Sequence, residues 1–302
     1  MYFFSSFYKW FFFTLLVIMF GSAFLLIEIS LKSFSPGIIA FVRVSLAAII
    51  LLFYALLKSF TFNFIIKNFV LLFVLGLSGT TIPFFLISWA QLSINSSETG
   101  ILIGFMPIFT IIGSHYIFNY EKLNISKIIG FTTGFIGLFV LLFNNLDVNI
   151  YNNFISKLAV VLGAFFYALN ALLVKKIKNV HVVPLSAVVM ILSSLQLLIL
   201  IIYTGDIYNV NLNFSLESII ALLIMSVFST ALATVIYYKI INDYGPSFLS
   251  LVNYPIPIFA FFLGVIFLNE SINIYSIISL SLIIASIYIS QLKKSNGGLE
   301  KN

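Results

Sequence analysis

The sequence predicts an all-α integral membrane protein with ten transmembrane helices, arranged as two inverted five-helix repeats. Three observations predict this fold class: an apolar composition, ten hydrophobic windows of membrane-spanning length, and a motif that recurs in the second half of the chain. Hydrophobic residues make up 62% of the 302 residues, charged residues make up 8%, and the mean hydropathy is +1.17. A soluble globular fold could not cover its surface with so few polar groups.

Ten hydrophobic windows follow one another along the chain, and crossing the hydrocarbon core of a membrane takes roughly 20 apolar residues in each. The first window follows Lys9 and continues to Ile27, so it is longer than the apolar part of a signal peptide and is interpreted as the first span. Short connections that carry turn residues separate the windows. The windows fall at residues 10–30, 37–57, 68–91, 98–118, 126–145, 157–175, 183–203, 217–239, 247–268 and 272–291.

The lysines indicate how the chain is oriented. If the N-terminus is cytoplasmic, the cytoplasmic segments hold twelve lysines and the opposite side holds two, Lys32 and Lys157. Because short cytoplasmic loops are enriched in lysine and arginine, we expect a multi-pass protein of the cell inner (cytoplasmic) membrane with both termini cytoplasmic. The net charge of +6 follows from this topology and does not indicate a nucleic-acid partner.

The recurring motif divides the chain into two halves. Glu121-Lys-Leu-Asn-Ile-Ser-Lys-Ile-Ile at residues 121–129 returns as Glu270-Ser-Ile-Asn-Ile-Tyr-Ser-Ile-Ile at residues 270–278. Halves with an odd number of spans insert upside down to one another. We therefore expect a first repeat at 1–147 (helices 1–5), a second, inverted repeat at 148–292 (helices 6–10) and a cytoplasmic tail at 293–302. Further pairs at a similar offset are Gly21 with Ala168, Pro36 with Pro184, and Pro107 with Pro257.

Short motifs occur in a specific order along nearly the whole chain. They are Gly21-Ser22-Ala23-Phe24, Pro36 with Arg43, Pro107 with Glu121 and Gly130, Phe166-Tyr167-Ala168, Lys175-Lys176, Pro257-Ile258-Phe259 and Leu268-Asn269-Glu270. In this order they resemble the EamA-type transporters of the drug/metabolite transporter superfamily. The resemblance implies a ten-helix carrier that moves small metabolites by alternating access through a central cavity between two inverted halves. Family members differ in substrate and direction, and many have Lys at the position of Glu28.

Prolines near the middle of predicted helices are the first candidate binding positions. Proline removes an N–H group and displaces the carbonyl four residues earlier, which frees backbone groups for a ligand. Pro107 follows Gly104 closely, and Pro257 ends the segment Asn253-Tyr254-Pro255-Ile256-Pro257. Irregular backbone at midplane depth is typical of a cavity lining. The alternative is a pair of kinks that only improve helix packing.

Polar and aromatic residues on other helices complete the predicted substrate site. Pro83 frees the carbonyl of Gly79, and two candidates, Thr80 and Phe84, lie beside it. Hydroxyl groups at these depths alternatively only join one helix to another. The remaining candidates are Thr230 with Ser229 and Thr234 on the eighth helix, and Tyr167 and Asn170 on the sixth.

Glu28 and Arg43 are charges inside predicted spans. They are expected at similar depths on consecutive helices, so we predict that they pair. Charges in a membrane are costly and indicate function by default, although an ion pair that only locks two helices together is the alternative. Arg43 offers a permanently charged, planar fork that a substrate carboxylate could use, and Glu28 could bind and release a proton.

The predicted function is a secondary transporter for a small metabolite, with an amino acid or related zwitterion as the first expectation. A nucleoside or S-adenosyl-compound carrier is the alternative. The expected partners are the small-molecule substrate and the lipid bilayer, the expected state is a monomer, and no cofactor is expected. The chain has no cysteine, and two isolated histidines, His115 and His181, do not make a metal site. It contains no Walker sequence, so ATP is not the expected direct energy source.

Two further classes of protein fit the sequence less well. Gly76-Leu77-Ser78-Gly79 matches the Gly-x-Ser-Gly pattern of intramembrane serine proteases, with His115 as a conceivable base. His115 is expected closer to the cytoplasm than Ser78 can reach, and the glycines that follow the histidine in that family are missing, so we do not expect an enzyme. A passive membrane scaffold would not need matched prolines in its two halves.

Overall fold

A computed structural model describes residues 2–56, 62–116, 125–142, 150–174, 177, 181–206, 214–244, 249, 251–253 and 255–291. Within these residues the regular elements are helices, and no strand is present. Glu121 and Tyr254, two positions that the sequence singled out, lie outside the described residues.

The first half contains seven α-helices and one π-helix. Two of its predicted spans are interrupted. A π-helix interrupts the third span, and a short break interrupts the fourth. The elements are α1 (Tyr2–Leu31), α2 (Pro36–Leu56), α3 (Phe62–Gly76), the first π-helix (Leu77–Thr81), α4 (Ile82–Ala90), α5 (Ser96–Ile103), α6 (Met106–Tyr116) and α7 (Ile125–Leu142).

The second half repeats this order of elements. Its π-helix falls 150 positions after the first one, and its last helix begins 149 positions after α7. The elements are α8 (Ile150–Val174), α9 (Val182–Thr204), α10 (Leu216–Ser226), the second π-helix (Val227–Leu232), α11 (Ala233–Tyr244), a 3-10 turn (Leu251–Asn253), α12 (Pro255–Leu268) and α13 (Ile274–Gln291).

Apolar helices of membrane-spanning length make this a multi-pass membrane protein. Among the described residues, seven helical segments are long and apolar enough to cross a membrane, and three more apolar helices are shorter. The seven are Tyr8–Leu31, Pro36–Leu56, Ile65–Ala90, Ser96–Tyr116, Asn153–Val174, Val182–Thr204 and Leu216–Asp243, and the shorter three are Ile128–Gly137, Pro255–Leu268 and Ile274–Ser286.

The candidate prolines lie at the beginnings of helices. Pro107 is the second residue of α6, after a break at Gly104 and Phe105, and Pro255 is the first residue of α12 with Pro257 in the same turn. The first turn of a helix leaves its N–H groups without intrahelical partners, so proline is tolerated there. The Ser96–Tyr116 span is therefore interrupted near its middle, and Pro107 lies in the first turn after that break.

The last helices of the two halves, α7 and α13, pack against each other with exchanged contacts. The backbone of Gly134 approaches Ser286, and that of Gly137 approaches Ile283. Gly134 and Ile283 are 149 positions apart, and so are Gly137 and Ser286. A contact that recurs with its two partners exchanged is typical of a two-fold interface. The Ser279 hydroxyl also donates to the Gly137 carbonyl at 2.8 Å.

Polar contacts join the two halves at one end of the bundle. The Gly37 amide donates to an Asp206 carboxylate oxygen at 3.1 Å, and the Ser33 hydroxyl donates to the Ser218 hydroxyl at 3.1 Å. The rings of Phe34 and Phe214 stack with centroids 4.8 Å apart. These residues lie on turns or helix ends that the lysine pattern places outside the cell.

Candidate functional site

A cavity of about 110 Å³ lies between the two halves, and helices of both halves line it. Its walls are mostly aromatic and aliphatic, and a few polar side chains project into it. This combination is typical of sites for small molecules. The lining includes Phe20, Phe24, Arg43, Gly79, Thr80, Phe84, Met106, Tyr167, Asn170, Met190, Ser229, Thr234, Tyr237, Tyr238, Val252 and Asn253.

The two π-helices lie on the wall of this cavity, which Gly79 and Thr80 line from the first and Ser229 from the second. In the first π-helix, the Ile82 amide donates to the carbonyl of Leu77, five residues earlier. This wider turn comes just before Pro83, which has no N–H group to donate. Single π-turns inside α-helices are frequent at functional sites.

Buried amides from the second half satisfy backbone carbonyls beside the first π-helix. Asn170 on α8 donates through Nδ2 to the Leu75 carbonyl at 3.0 Å. Gln196 on α9 donates through Nε2 to the Phe73 carbonyl at 3.0 Å. Because an unpaired carbonyl is costly away from water, these two bonds stabilise the irregular backbone. Tyr237 in turn donates through its hydroxyl to Asn170 Oδ1 at 3.4 Å.

Two equivalent threonines connect the π-helices to the opposite halves. The Thr81 hydroxyl donates to Gln196 Oε1 at 2.6 Å, and Thr230, 149 positions later, accepts from Arg43 Nε at 3.1 Å. The first contact is neutral, whereas the second brings a cation to the cavity wall. The two halves therefore contribute equivalent threonines, but only Thr230 binds a charged side chain.

Arg43 is buried, with 3% of its surface exposed, and its partners are neutral. Besides the bond to Thr230, its guanidinium carbon lies 3.8 Å from the centroid of the Phe84 ring. This position over the ring face allows a cation–π interaction. The α2 helix thus presents one permanent positive charge to the cavity.

The predicted ion pair between Glu28 and Arg43 is not formed. Glu28 accepts a hydrogen bond from Gln91 Nε2 at 3.3 Å, and the same nitrogen donates to the Phe24 carbonyl at 3.0 Å. The pair was predicted because the two residues lie at similar depths on consecutive helices. It does not form, because the two side chains project from faces of α1 and α2 that meet different neighbours.

Six of the predicted site residues line the cavity. The other predicted residues that the structure describes lie elsewhere, and Tyr254 is outside the described residues. Thr230 holds Arg43 from the adjacent turn. Gly104 packs against the α12 helix, since a side chain at this position would lie 3.1 Å from Pro257 Cγ. Pro107 and Pro257 are buried, but they do not line the cavity. The six that do are Arg43, Thr80, Phe84, Tyr167, Asn170 and Asn253.

Sequence reasoning missed the contribution of the first helix. Phe20 and Phe24 on α1 line the cavity, as do Tyr237 and Tyr238 on α11. The Phe20 and Tyr237 rings meet edge to face, with centroids 6.4 Å apart. Two tyrosines in succession in an otherwise apolar span were the available signal for α11. The apolar α1 gave none, because lipid-facing and cavity-facing positions are apolar alike.

A group of charged residues lies at the N-terminal end of α5, where Lys157 is buried and Glu98 and Glu270 are partly exposed. Glu270 accepts hydrogen bonds from the backbone amides of Ser96 at 3.0 Å and Ser97 at 3.1 Å, and from both serine hydroxyls. A carboxylate at a helix N-terminus satisfies unpaired amides and complements the helix dipole. Lys157, expected in an outward loop, is buried on α8 with its Nζ 3.7 Å from Glu98 Oε1.

Comparison with known proteins decides the family. The sequence profile of the EamA-like transporter family matches twice, at residues 8–143 and 155–292. The chain belongs to the EamA-like transporter family. Its two matches together cover most of the sequence, so both halves carry the family pattern.

Relatives of this EamA-like protein are themselves named transporters. An uncharacterized transporter of Archaeoglobus fulgidus is 25% identical over 290 residues, which is 95% of this chain and 99% of the relative. The uncharacterized transporter YoaV of Bacillus subtilis is 24% identical over 207 residues, 68% of this chain and 70% of its own. An uncharacterized transporter of Buchnera aphidicola is 24% identical over 269 residues, 88% of each chain.

A solved crystal structure has the same fold. It superposes on this EamA-like chain with a TM-score of 0.66 at 13% identity, over 94% of this chain and 96% of its own. At this identity the likeness concerns the fold alone.

The serine of the Gly-x-Ser-Gly segment is bonded to backbone and amide groups. Ser78 donates to the Val74 carbonyl at 2.7 Å and accepts from Asn170 Nδ2 at 3.4 Å. A serine nucleophile would instead donate to its general base. In this EamA-like protein Ser78 therefore supports the backbone before the first π-helix.

Proposed function

We propose that this protein is a secondary transporter that moves a small metabolite, an amino acid or related zwitterion, across the cytoplasmic membrane by alternating access. The observation that carries the proposal is the central cavity, which both halves line and into which one buried cation projects. Membership in a transporter family and relatives named transporters support the coarser statement.

The internal symmetry supports the mechanism. Ten spans in two inverted repeats would allow the same interfaces to open alternately on the two sides of the membrane. The exchanged contacts of α7 with α13 and the paired π-helices support such an arrangement. In this proposal, the halves rock about the cavity while the solute stays bound between them.

The size of the cavity supports a small solute. A cavity of about 110 Å³ has room for several water molecules, and therefore for a solute of amino-acid size that displaces them. A nucleoside or S-adenosyl compound has about twice as many non-hydrogen atoms as an amino acid, or more, so the smaller solute is the first expectation.

The lining supports a solute with an apolar part. Phe20, Phe24, Phe84 and Tyr237 supply ring surface, and Asn170 supplies an amide that already has protein partners. An apolar side chain would displace water from these rings at little cost.

Purified protein in liposomes tests this function. Each of the twenty labelled L-amino acids is offered in turn, then nucleosides and S-adenosylmethionine, with and without a proton gradient. We expect saturable uptake of one or a few amino acids, and protein-free liposomes are the control. Uptake of nucleosides alone would show that the substrate is a nucleoside and not an amino acid. No flux of any solute would contradict the transporter function.

A further inference from the structure

The cavity contains a buried cation without an acidic partner. Arg43 is 3% exposed, its Nε atom is bonded to Thr230, and its guanidinium group lies over Phe84. Among the described residues, no carboxylate lies within 4 Å of it, and Glu28 is bonded to Gln91 instead. Removing a charge from water costs several kcal/mol unless a counter-charge or hydrogen bonds offset it.

The same cavity wall contains a hydroxyl without a partner. Ser229 is 1% exposed, lines the cavity and precedes Thr230 in the second π-helix. Its Oγ atom has no hydrogen-bond partner among the residues that the structure describes. Nearly all buried polar atoms in folded proteins are bonded, so a free hydroxyl beside a ligand cavity indicates a donor for the ligand.

We propose that Arg43 and Ser229 form a subsite that binds a carboxylate group of the transported solute. This inference rests on the proposed transport function and makes it specific: the solute must carry a free carboxylate. Thr230 fixes the guanidinium group through Nε and leaves its terminal nitrogens for the ligand, while Ser229 adds one O–H donor from the next residue.

A carboxylate fits this subsite better than a phosphate. The subsite offers one positive charge, which balances a monocarboxylate, whereas a phosphate monoester carries nearly two negative charges at neutral pH. A guanidinium edge also matches the two oxygens of a carboxylate in a bidentate geometry. The aromatic rings opposite would take the apolar part of the same solute.

Calorimetric titration of the purified full-length protein in detergent tests the subsite directly. The probes are the twenty L-amino acids and short 2-oxo and 2-hydroxy acids, each compared with the derivative in which an uncharged carboxamide group replaces the carboxylate. We expect at least one acid to bind and its carboxamide to bind at least about tenfold more weakly. Equal binding of acid and carboxamide, or no binding of any acid, overturns the subsite.

Three variants test whether binding of the acid depends on Arg43 and Ser229. For the acid that binds, Arg43→Gln should raise the Kd about 100-fold, and Arg43→Lys should lie between it and the unmodified protein because lysine lacks the planar fork. Ser229→Ala should raise the Kd about tenfold. All three should weaken binding of the acid by a larger factor than binding of its carboxamide.

Ser88→Ala is the matched control. Ser88 is a fully buried serine on α4 whose hydroxyl also lacks a partner among the described residues, but it does not line the cavity. The same Kd for Ser88→Ala and the unmodified protein supports the subsite, and equal weakening by Ser88→Ala and Ser229→Ala overturns the role of Ser229. An unchanged elution volume and unliganded melting temperature show that each variant is folded.

Flux and binding together separate this inference from the transport function. If carboxamides are transported as fast as the acids, the transporter stands and the carboxylate subsite fails. If acids bind in an Arg43-dependent way but nothing crosses the membrane, the subsite stands and the transport function fails.

Discussion

The hydroxyls of Ser45 and Ser194, 149 positions apart in the chain, share a hydrogen bond of 2.7 Å. Ser45 lies on α2 and Ser194 on α9, the corresponding helices of the two halves. In a structure with a two-fold axis, only residues at the axis meet their own equivalents. This bond therefore marks where the pseudo-symmetry axis passes through the protein, between α9 and α2, the helix that also carries Arg43.

The inverted arrangement predicts that equivalent positions face opposite sides of the membrane. Ser93 and Asn242, again 149 positions apart, are both exposed at the ends of helical segments. We expect an impermeant maleimide to label Ser93→Cys in intact cells and Asn242→Cys only after permeabilisation. The unmodified chain has no cysteine and gives no background. Labelling of both from the same side would contradict the inversion.

Because α7 packs closely on α13, we expect a larger side chain at Gly134 to destabilise the protein. A Cβ atom at Gly134 would lie 2.8 Å from Ser286 Oγ, so Gly134→Leu should destabilise the protein by about 1–3 kcal/mol. The measurement is the thermal transition in detergent. Gly163→Ala is the control, because its new Cβ atom would lie at ordinary contact distance, 3.5 Å from Ile87 Cγ1. Equal stability of both variants would contradict this packing.

Because Glu28 and Arg43 have separate hydrogen-bond partners, we expect substitutions at the two positions to change solute binding independently. In a double-mutant cycle of Glu28→Gln and Arg43→Gln, the changes in the free energy of solute binding should add to within about 0.5 kcal/mol. The cycle is measured by titration with the acid that binds the unmodified protein. A coupling energy well above this limit would restore the ion pair that the sequence suggested.

The bonds between Glu270 and the start of α5 predict a role in closing the outer end. Glu270→Ala removes the acceptor of the Ser96 and Ser97 groups, so we expect a cysteine at Phe24 to react faster with an impermeant reagent from outside. Glu217→Ala is the control, because Glu217 is likewise a glutamate near a helix N-terminus, in the first turn of α10, but is exposed. Equal reaction rates in both backgrounds would contradict a closing role.

The sequence predicted much of the cavity because transporters use recognisable residue types at midplane depth. Thr80, Tyr167, Asn170 and Asn253 are polar groups in apolar spans, and all four line the cavity. Depth in the membrane can be counted along a helix. Which face of the helix meets the cavity depends on tertiary packing.

Rotation about the helix axis accounts for what the sequence did not predict. Glu28 and Arg43 were expected to meet because their depths agree, yet Glu28 meets Gln91. Phe20 carried no signal and Phe24 appeared only as part of the Gly21-Ser22-Ala23-Phe24 motif, since a lipid-facing phenylalanine looks the same in sequence. The π-helices could not be predicted either, because one extra residue in a turn leaves no compositional trace apart from Pro83.

Counterflow in proteoliposomes tests alternating access most directly. Liposomes that contain the purified protein are loaded with an unlabelled amino acid that the flux screen identifies, and the same labelled amino acid is added outside at a low concentration. A carrier whose single cavity opens alternately on the two sides should accumulate label transiently above its equilibrium level, and Arg43→Gln should abolish this overshoot. Simple equilibration of the label, at a rate independent of the internal amino acid, would contradict the proposed mechanism.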